Sequence, residues 1–460
     1  MKNLIVYIIF ICNTVNALAQ APISHIPVNS EKNQLTLEEC IISAIENNPN
    51  LKSLKLSEEA NEYQIKEIKS AALPQLSAQG QVLHNYALAE QILPGEVFGQ
   101  PGESVAVKFG VANTITGKVE VNQLLYNKSY RTGLRAAEAS RSLTQLNTFK
   151  TTEDLIFNIA ELYLNLQITE KQKEILNANL SRINQLIKIS QIQFEEGLIK
   201  KLDVDQLRVN KTNLLSEFQN IEIGVAQQMN LLKFYMGMTQ DEEIAIADYV
   251  TDGDTYPLLE AVQMENNTSL LLLNKQLELS NLEHGNLAAG YYPTLSAFAN
   301  YGWQGQTDKL FSTDEQYDIQ GSPTGVIGLS LNIPIFDGFK IKNQLAQNKI
   351  KQSQMVLDRT YLANSIQMEF ANANNALKQN KTLLDVQNAN MALAEELYGV
   401  TKLSYQEGVA PLTELLNAEN SLKEAQTQYL TSLLQVNLAE LDQMKTSGQL
   451  ASLIRDGSNN

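Results

Sequence analysis

Cysteine is nearly absent from this chain. Only Cys12 and Cys40 occur, and Cys12 lies in a leader-like segment, so the mature chain is expected to keep one thiol and no intramolecular disulfide. Histidine is also scarce: His25, His84 and His284 are far apart and form no metal or triad cluster. No nucleophile is spaced to meet a base, and no glycine-rich phosphate loop opens a helix, so neither an enzyme nor a cofactor or metal site is expected. Long apolar runs are missing beyond the leader, which excludes a transmembrane helix in the mature chain. Positive charge is in deficit, with 35 Lys and Arg against 51 Asp and Glu and a net charge of -16, and such a surface repels phosphate, so nucleic acid is not an expected partner. Finally, no proline lies between Pro101 and Pro257, an unusually long stretch without a helix breaker.

At the N-terminus, Lys2 precedes a short apolar run and then Ala17-Leu18-Ala19. This reads as a signal peptide over residues 1–19, with cleavage after Ala19. Acylation at Cys12 is the lesser reading, because Ile11 before it is bulkier than such a site prefers. A polar tail is expected over 20–34. The proline-free stretch then predicts one helix over 131–196, a break at Gly197, and a second helix from about Lys201 to Met236. At 1.5 Å per residue the first rises roughly 99 Å. Its apolar residues, among them Ile156, Ile159, Tyr163, Leu176, Leu180 and Ile183, recur at spacings of three and four and form a coiled-coil-like seam.

Elsewhere the period is two. From Pro74, Gln75, Ser77, Gln79 and Gln81 alternate with Leu76, Ala78, Gly80 and Val82; later, Thr114, Thr116, Lys118 and Glu120 alternate with Ile115, Gly117, Val119 and Val121. These predict two strands, about 74–86 and 112–126, joined by a long loop containing Pro94-Gly95 and Pro101-Gly102. Each is long enough to cross a bilayer at a tilt.

The plan then repeats. Pro293-Thr294-Leu295-Ser296 echoes Pro74-Gln75-Leu76-Ser77, and Tyr405-Gln406-Glu407-Gly408 echoes Phe194-Glu195-Glu196-Gly197. We therefore read a first repeat over 35–237 (helical hairpin 131–237), a connection over 238–257, a second repeat over 258–446 (strands about 293–303 and 324–336, helical hairpin 340–446) and a tail over 447–460. Helix is expected from Leu258 to Gly290. Four amphipathic strands cannot close a barrel, and lipid tolerates no open edge, so an apolar face meeting lipid would need further copies of the chain for closure. Geometry alone leaves eight or twelve strands open. The return helices rise only about 55 Å, and the helices entering each first strand would have to stack on them to complete a second column.

At this point the halves resemble the outer-membrane efflux protein family, the TolC-like channels. The resemblance spans about 35–446. It rests on the two hairpin tips, each an aromatic-x-x-Gly followed six residues on by an acid (Asp203, Glu414), on Asn48-Pro49, and on the strand exit Pro334-Ile335-Phe336-Asp337-Gly338. It implies a mainly α fold with a membrane β-barrel portion: a duplicated helix-strand-strand-long helical hairpin whose homotrimer forms a 12-stranded β-barrel continuous with a 12-helix periplasmic α-barrel. It implies a passive export channel, not an enzyme and without cofactor, in the Gram-negative outer membrane with most of the chain in the periplasm. The implied partners are a periplasmic adaptor (membrane fusion) protein, an inner-membrane pump of RND, ABC or MFS type, and outer-membrane lipid.

By the same resemblance, Phe194, Gly197, Leu198, Asp203, Tyr405, Gly408 and Val409 form the periplasmic tips that dock the adaptor. Relatives line the mouth with two acids three residues apart; here those positions are Glu414 and Asn417. Ala410 stands where a relative can carry a basic locking residue. Asp203 and Glu414 have an alternative role, each favouring the first turn of its helix through the macrodipole. The competing reading of the whole chain is a secreted coiled-coil scaffold or adhesin with no channel.

Overall fold

The structure, a computed structural model, describes residues 34–94, 96, 99, 101–248, 264–308 and 319–454. The expected leader, Cys12, most of the polar tail and the break at Pro257 lie outside these residues. In chain order the elements are β1 (Gln34–Leu35), α1 (Leu37–Asn47), α2 (Pro49–Ser70), β2 (Gln75–His84), β3 (Glu90–Pro94), β4 (Ser104–Lys108), β5 (Asn113–Tyr126), α3 (Lys128–Glu195), α4 (Lys201–Met236), β6 (Ala245–Ile246), α5 (Thr268–Ala289), β7 (Thr294–Thr307), β8 (Gln320–Asn332), α6 (Lys340–Gln406) and α7 (Leu412–Ser447). No described helix is long and apolar enough to cross a membrane.

The long helices α3 and α6 contain 68 and 67 residues, about 100 Å each. Each is flanked by two shorter helices placed end to end. Alongside α3, α4 runs up from the far end and stops at Gly237, whose φ of 70° ends the helix. There it meets the start of α2: Asn48 accepts from the N–H groups of Asn50 and Leu51 at 2.9 and 3.3 Å, and its amide donates to the carbonyl of Tyr235 at 2.8 Å. One side chain thus caps one helix and ties it to the end of the other. The second repeat does the same. Asn267 caps α5 through Ser269 and Leu270, and Gly448, with φ of 73°, ends α7 beside Asn266. The two Asn-containing breaks are the joints of the stacked columns.

Around the first joint lies the main core, where Cys40, Ile41, Ile159, Tyr163, Leu166, Leu232 and Met236 are buried. Tyr163 donates to the carbonyl of Leu35 at 2.9 Å and Gln167 to that of Ala247 at 3.1 Å, so α3 holds the small parallel pair of β1 and β6. Burial pushes the Cys40 thiol up to about 12, which leaves it protonated and unreactive at neutral pH. Leu450, past the end of α7, is buried in the same core.

At the other end, β2, β5, β7 and β8 form one antiparallel sheet in that order. The second repeat therefore joins the first through β5 and β7, and β2 and β8 remain edges among the described residues. The register aligns Ala78, Val119 and Tyr301, and Leu76, Val121, Ala299 and Ile327, in cross-strand rows. Paired residues share a face, so the odd and even sets read from each strand merge into one continuous apolar face and one polar face. The apolar face is exposed: Leu76, Ile327 and Leu329 are each about 70% exposed or more.

Several boundaries differ from the reading of the sequence. The first inter-strand loop carries a two-stranded hairpin, β3 with β4, and Pro94, Pro101 and Gly102 lie at the end of β3 or in the turn that follows it. Helix α5 begins at Thr268, not Leu258, because Asn267 supplies the cap; residues 258–263 lie outside the description. Helix α3 starts three residues early for a similar reason, with Asn127 accepting from the Tyr130 N–H at 3.0 Å. Strand β8 begins at Gln320 and passes through Pro323, which an edge strand tolerates because one row of its N–H groups is unpaired. It ends at Asn332, since Pro334 has no N–H to continue the ladder. Near the helices, the register of β5 slips between Leu124 and Tyr126, and Tyr126 pairs with Leu295. This bulge turns Tyr126 onto the apolar face.

Candidate functional site at the hairpin tips

Both hairpins turn by the same local chemistry. In the first, Gly197 takes φ of 75°, its N–H donates to the Phe194 carbonyl at 2.9 Å and that of Leu198 to Gln193 at 2.8 Å. In the second, Gly408 takes φ of 74°, with Gly408 donating to Tyr405 at 3.1 Å and Val409 to Ser404 at 2.9 Å. The paired bonds satisfy the last carbonyls of α3 and α6, and glycine enters the left-handed conformation without a Cβ penalty. No atom lies within 4 Å of a Cβ built at either glycine. The tips project freely, and Leu198 and Val409 are 73% and 81% exposed.

After each turn the next helix starts differently, and this separates the two acids. Lys200 precedes α4, and its backbone N–H donates to the Asp203 carboxylate at 3.1 Å. Asp203 is thus committed to closing its own helix start. The corresponding residue before α7 is Pro411, which has no N–H to offer. Glu414 is exposed, and no side-chain hydrogen bond holds it among the described residues. Asn417, one turn further on, is exposed beside it. Of these two acids, Glu414 alone is left without a side-chain partner among the described residues.

The aromatic residues also part company. Phe194 is exposed, whereas Tyr405 is 7% exposed with its hydroxyl 3.1 Å from that of Ser190. This contact joins α6 to α3 and hence one hairpin to the other. Above it an apolar seam is shared by all four helices, with Ile183 and Leu186 from α3, Leu207 from α4, Tyr398 from α6 and Leu415 and Leu422 from α7.

A titratable group interrupts that seam. Glu419 is 4% exposed, and neither carboxylate oxygen has a hydrogen-bond partner among the described residues. Tyr398 OH, Arg182 Nε and Asn179 Nδ2 are likewise buried without partners, and the Arg182 guanidinium lies 5.5 Å from the centre of the Tyr398 ring. Burial pushes the Glu419 carboxyl up, opposed in part by Arg182 and Lys423; burial and the Glu419 charge push Tyr398 up. Lys423 is engaged elsewhere, 3.0 Å from Glu217 on α4.

Sequence reasoning missed both Ser190 and Glu419, although each left a trace. Ser190 continues the three-and-four spacing of Leu176, Leu180, Ile183 and Ile187, and Glu419 falls between Leu412, Leu415 and Leu422 at the same spacing. A polar residue in a seam position marks a place where two helices meet through something other than apolar packing.

Comparison with known proteins agrees with this architecture. The family model described as outer membrane efflux protein matches residues 40–237 and 263–448. The chain is 23% identical over 424 residues to the toluene efflux pump outer membrane protein TtgF of Pseudomonas putida, covering 90% of this chain and 83% of that protein. It is 22% identical over 356 residues to the outer membrane protein TolC of Escherichia coli, covering 71% and 69%. The crystal structure of the Campylobacter jejuni CmeC outer membrane channel superposes with a TM-score of 0.73 at 17% identity, covering 92% of this chain and 89% of that one.

Proposed function

This chain belongs to the outer membrane efflux protein family, and from that premise we propose that it works as a homotrimeric, passive export duct of a tripartite efflux or type I secretion system. The observation that carries the proposal is the sheet with one exposed apolar face and two edges, β2 and β8, that are unpaired among the described residues. An apolar face of that extent is costly in water, and unpaired strand edges are costly in lipid. Both costs vanish when β8 of one copy pairs with β2 of the next in a bilayer. Three copies supply twelve strands, and six long helices, each with its stacked column, supply a tunnel wall of twelve.

On this reading the channel does no chemistry. The helices, about 100 Å long, carry the duct across the periplasm, and their tips meet a periplasmic adaptor fed by an inner-membrane pump. Leu198 and Val409, with Phe194 and the two tip glycines, offer that adaptor an exposed apolar end, while Glu414 lines the mouth. Tyr405 and Ser190 hold the two hairpins of one copy together behind it. The TtgF relative is named for toluene; export of small apolar compounds is accordingly the first substrate class to test.

The test is fractionation followed by native mass spectrometry. The chain should partition with outer membranes and migrate as a heat-modifiable oligomer of three copies, and deletion should sensitise cells to apolar toxins. Recovery as a soluble periplasmic protein would return the chain to the scaffold or adhesin reading.

A further inference from the structure

At the foot of the sheet, where strands give way to long helices, the chain is basic although its net charge is -16. A cavity of about 230 Å³ there is lined by Tyr126, Lys128, Arg131, Thr132, Arg135 and Tyr292. It contains three cations and no carboxylate. None of the three forms an ion pair among the described residues, whereas Arg141, further along α3, is held by Glu62 at 3.0 Å. Helix energetics do not account for the cluster, because Lys128 and Arg131, in the first turn of α3, oppose the macrodipole and that turn holds no acid.

The cavity's orientation follows from the bulge in β5. By pairing with Leu295, Tyr126 stands on the apolar face, so the cavity it lines adjoins the edge of the apolar band. Lys128 Nζ sits 3.3 Å from the centre of the Tyr292 ring. At the start of α6 a cation also lies near an aromatic ring, although locally, within one turn: Lys342 Nζ is 5.7 Å from the centre of the Phe339 ring, and Phe336 is exposed. Phe339 holds a left-handed φ of 65°, alone among the described non-glycine residues. Aromatic rings with cations just beyond them are the side chains that suit a membrane interface, the rings at headgroup depth and the cations at phosphate depth.

We propose that this cavity binds the phosphate of an anionic phospholipid in the periplasm-facing leaflet, with Lys128, Arg131 and Arg135 contacting the phosphate and Tyr126 and Tyr292 lying along the glycerol and first acyl carbons. The assignment rests on the channel reading, which places the apolar face in lipid. Free inorganic phosphate presents the same anionic chemistry, but it has no apolar portion to occupy the tyrosine side.

The full chain is reconstituted in phosphatidylcholine nanodiscs containing a minor share of phosphatidylglycerol, and the lipids retained on the oligomer are counted by native mass spectrometry. Wild type should retain phosphatidylglycerol selectively. The triple change Lys128→Gln, Arg131→Gln, Arg135→Gln should lower that selectivity by about two orders of magnitude, roughly fivefold for each charge, while Arg131→Lys with Arg135→Lys should keep most of it. Unchanged selectivity in the triple variant overturns the site. So does full displacement of the retained lipid by millimolar inorganic phosphate, which would make it a free-anion site. Loss of the oligomer with lipid selectivity intact would make these cations contacts between copies instead. Failure of wild type to enter a bilayer at all would sink the channel reading first, and that result is read without any variant.

Discussion

Replacing Glu419 by glutamine tests the central feature of the inter-hairpin seam. The carboxylate is 4% exposed and both its oxygens lack partners among the described residues. The charged groups around it are Arg182 from α3 and Lys423 on its own helix α7, with Tyr398 from α6; α4 contributes Glu217, which already holds Lys423 at 3.0 Å. Burial dominates and raises the carboxyl above its ordinary value. The sign follows from linkage: the packed seam binds the proton more tightly than a separated or unfolded one. Stability from this group is therefore fully present below the ordinary carboxylate value and is lost as pH rises through the raised one. An ionised, unsatisfied buried group costs about 1–3 kcal/mol. Glu419→Gln removes the charge at all pH values while keeping the shape. The variant should match wild type near pH 4 and exceed it by about 1–2 kcal/mol near pH 8, seen as a flatter dependence of thermal unfolding on pH. A pH dependence identical to that of wild type would refute the assignment. So would destabilisation at every pH, since it would mean that Arg182 pairs with the carboxylate and stabilises its charged form.

Further substitutions probe the joints and tips. Gly237→Ala places a Cβ 2.6 Å from the Asn47 carbonyl oxygen, whereas Gly408→Ala meets nothing within 4 Å; the first should lower thermal stability clearly more than the second, whose cost is the positive φ alone, about 1 kcal/mol, and equal losses would remove the stacked-joint explanation. Tyr405→Phe deletes the bond to Ser190, worth about 1 kcal/mol, and on the proposed reading should raise the frequency of channel opening in planar bilayers roughly fivefold; an unchanged frequency would separate this contact from closure. Glu414→Gln should shift cation selectivity in the same assay, while Asp203→Asn should leave selectivity alone and only loosen the start of α4. The reverse pattern would show that the two acids have been assigned the wrong way round.

Much of the fold was legible because it depends on neighbours in the chain. Period-two alternation and its repeat identified the four long strands and put Leu76 and Val119 each on the apolar face of its own strand. Period-three-and-four spacing with a proline-free stretch identified α3 and α4, and the glycines at 197 and 408 marked the turns. Asn48 was visible in the Asn48-Pro49 pair, although not as a joint. Other features needed contacts between distant residues. Ser190 meets Tyr405 across a separation of 215 residues, and Asn48 meets Tyr235 across 187. The hairpin of β3 and β4 was hidden because proline-glycine pairs mark a turn without showing whether strands flank it.

The amino-acid sequence alone determined the duplicated plan, the length of the helices, the turn at each tip and the amphipathic character of the sheet, because periodicity, caps and left-handed glycines act within a few residues. Tertiary structure decided which short helix stacks on which, that Tyr126 stands on the apolar face of the sheet, and that Glu419 is enclosed between the hairpins. It also showed the difference between Asp203, bound to its own helix start, and Glu414, left free because Pro411 has no N–H. These outcomes depend on which surfaces meet once the chain has folded back on itself, and local chemistry does not specify that meeting.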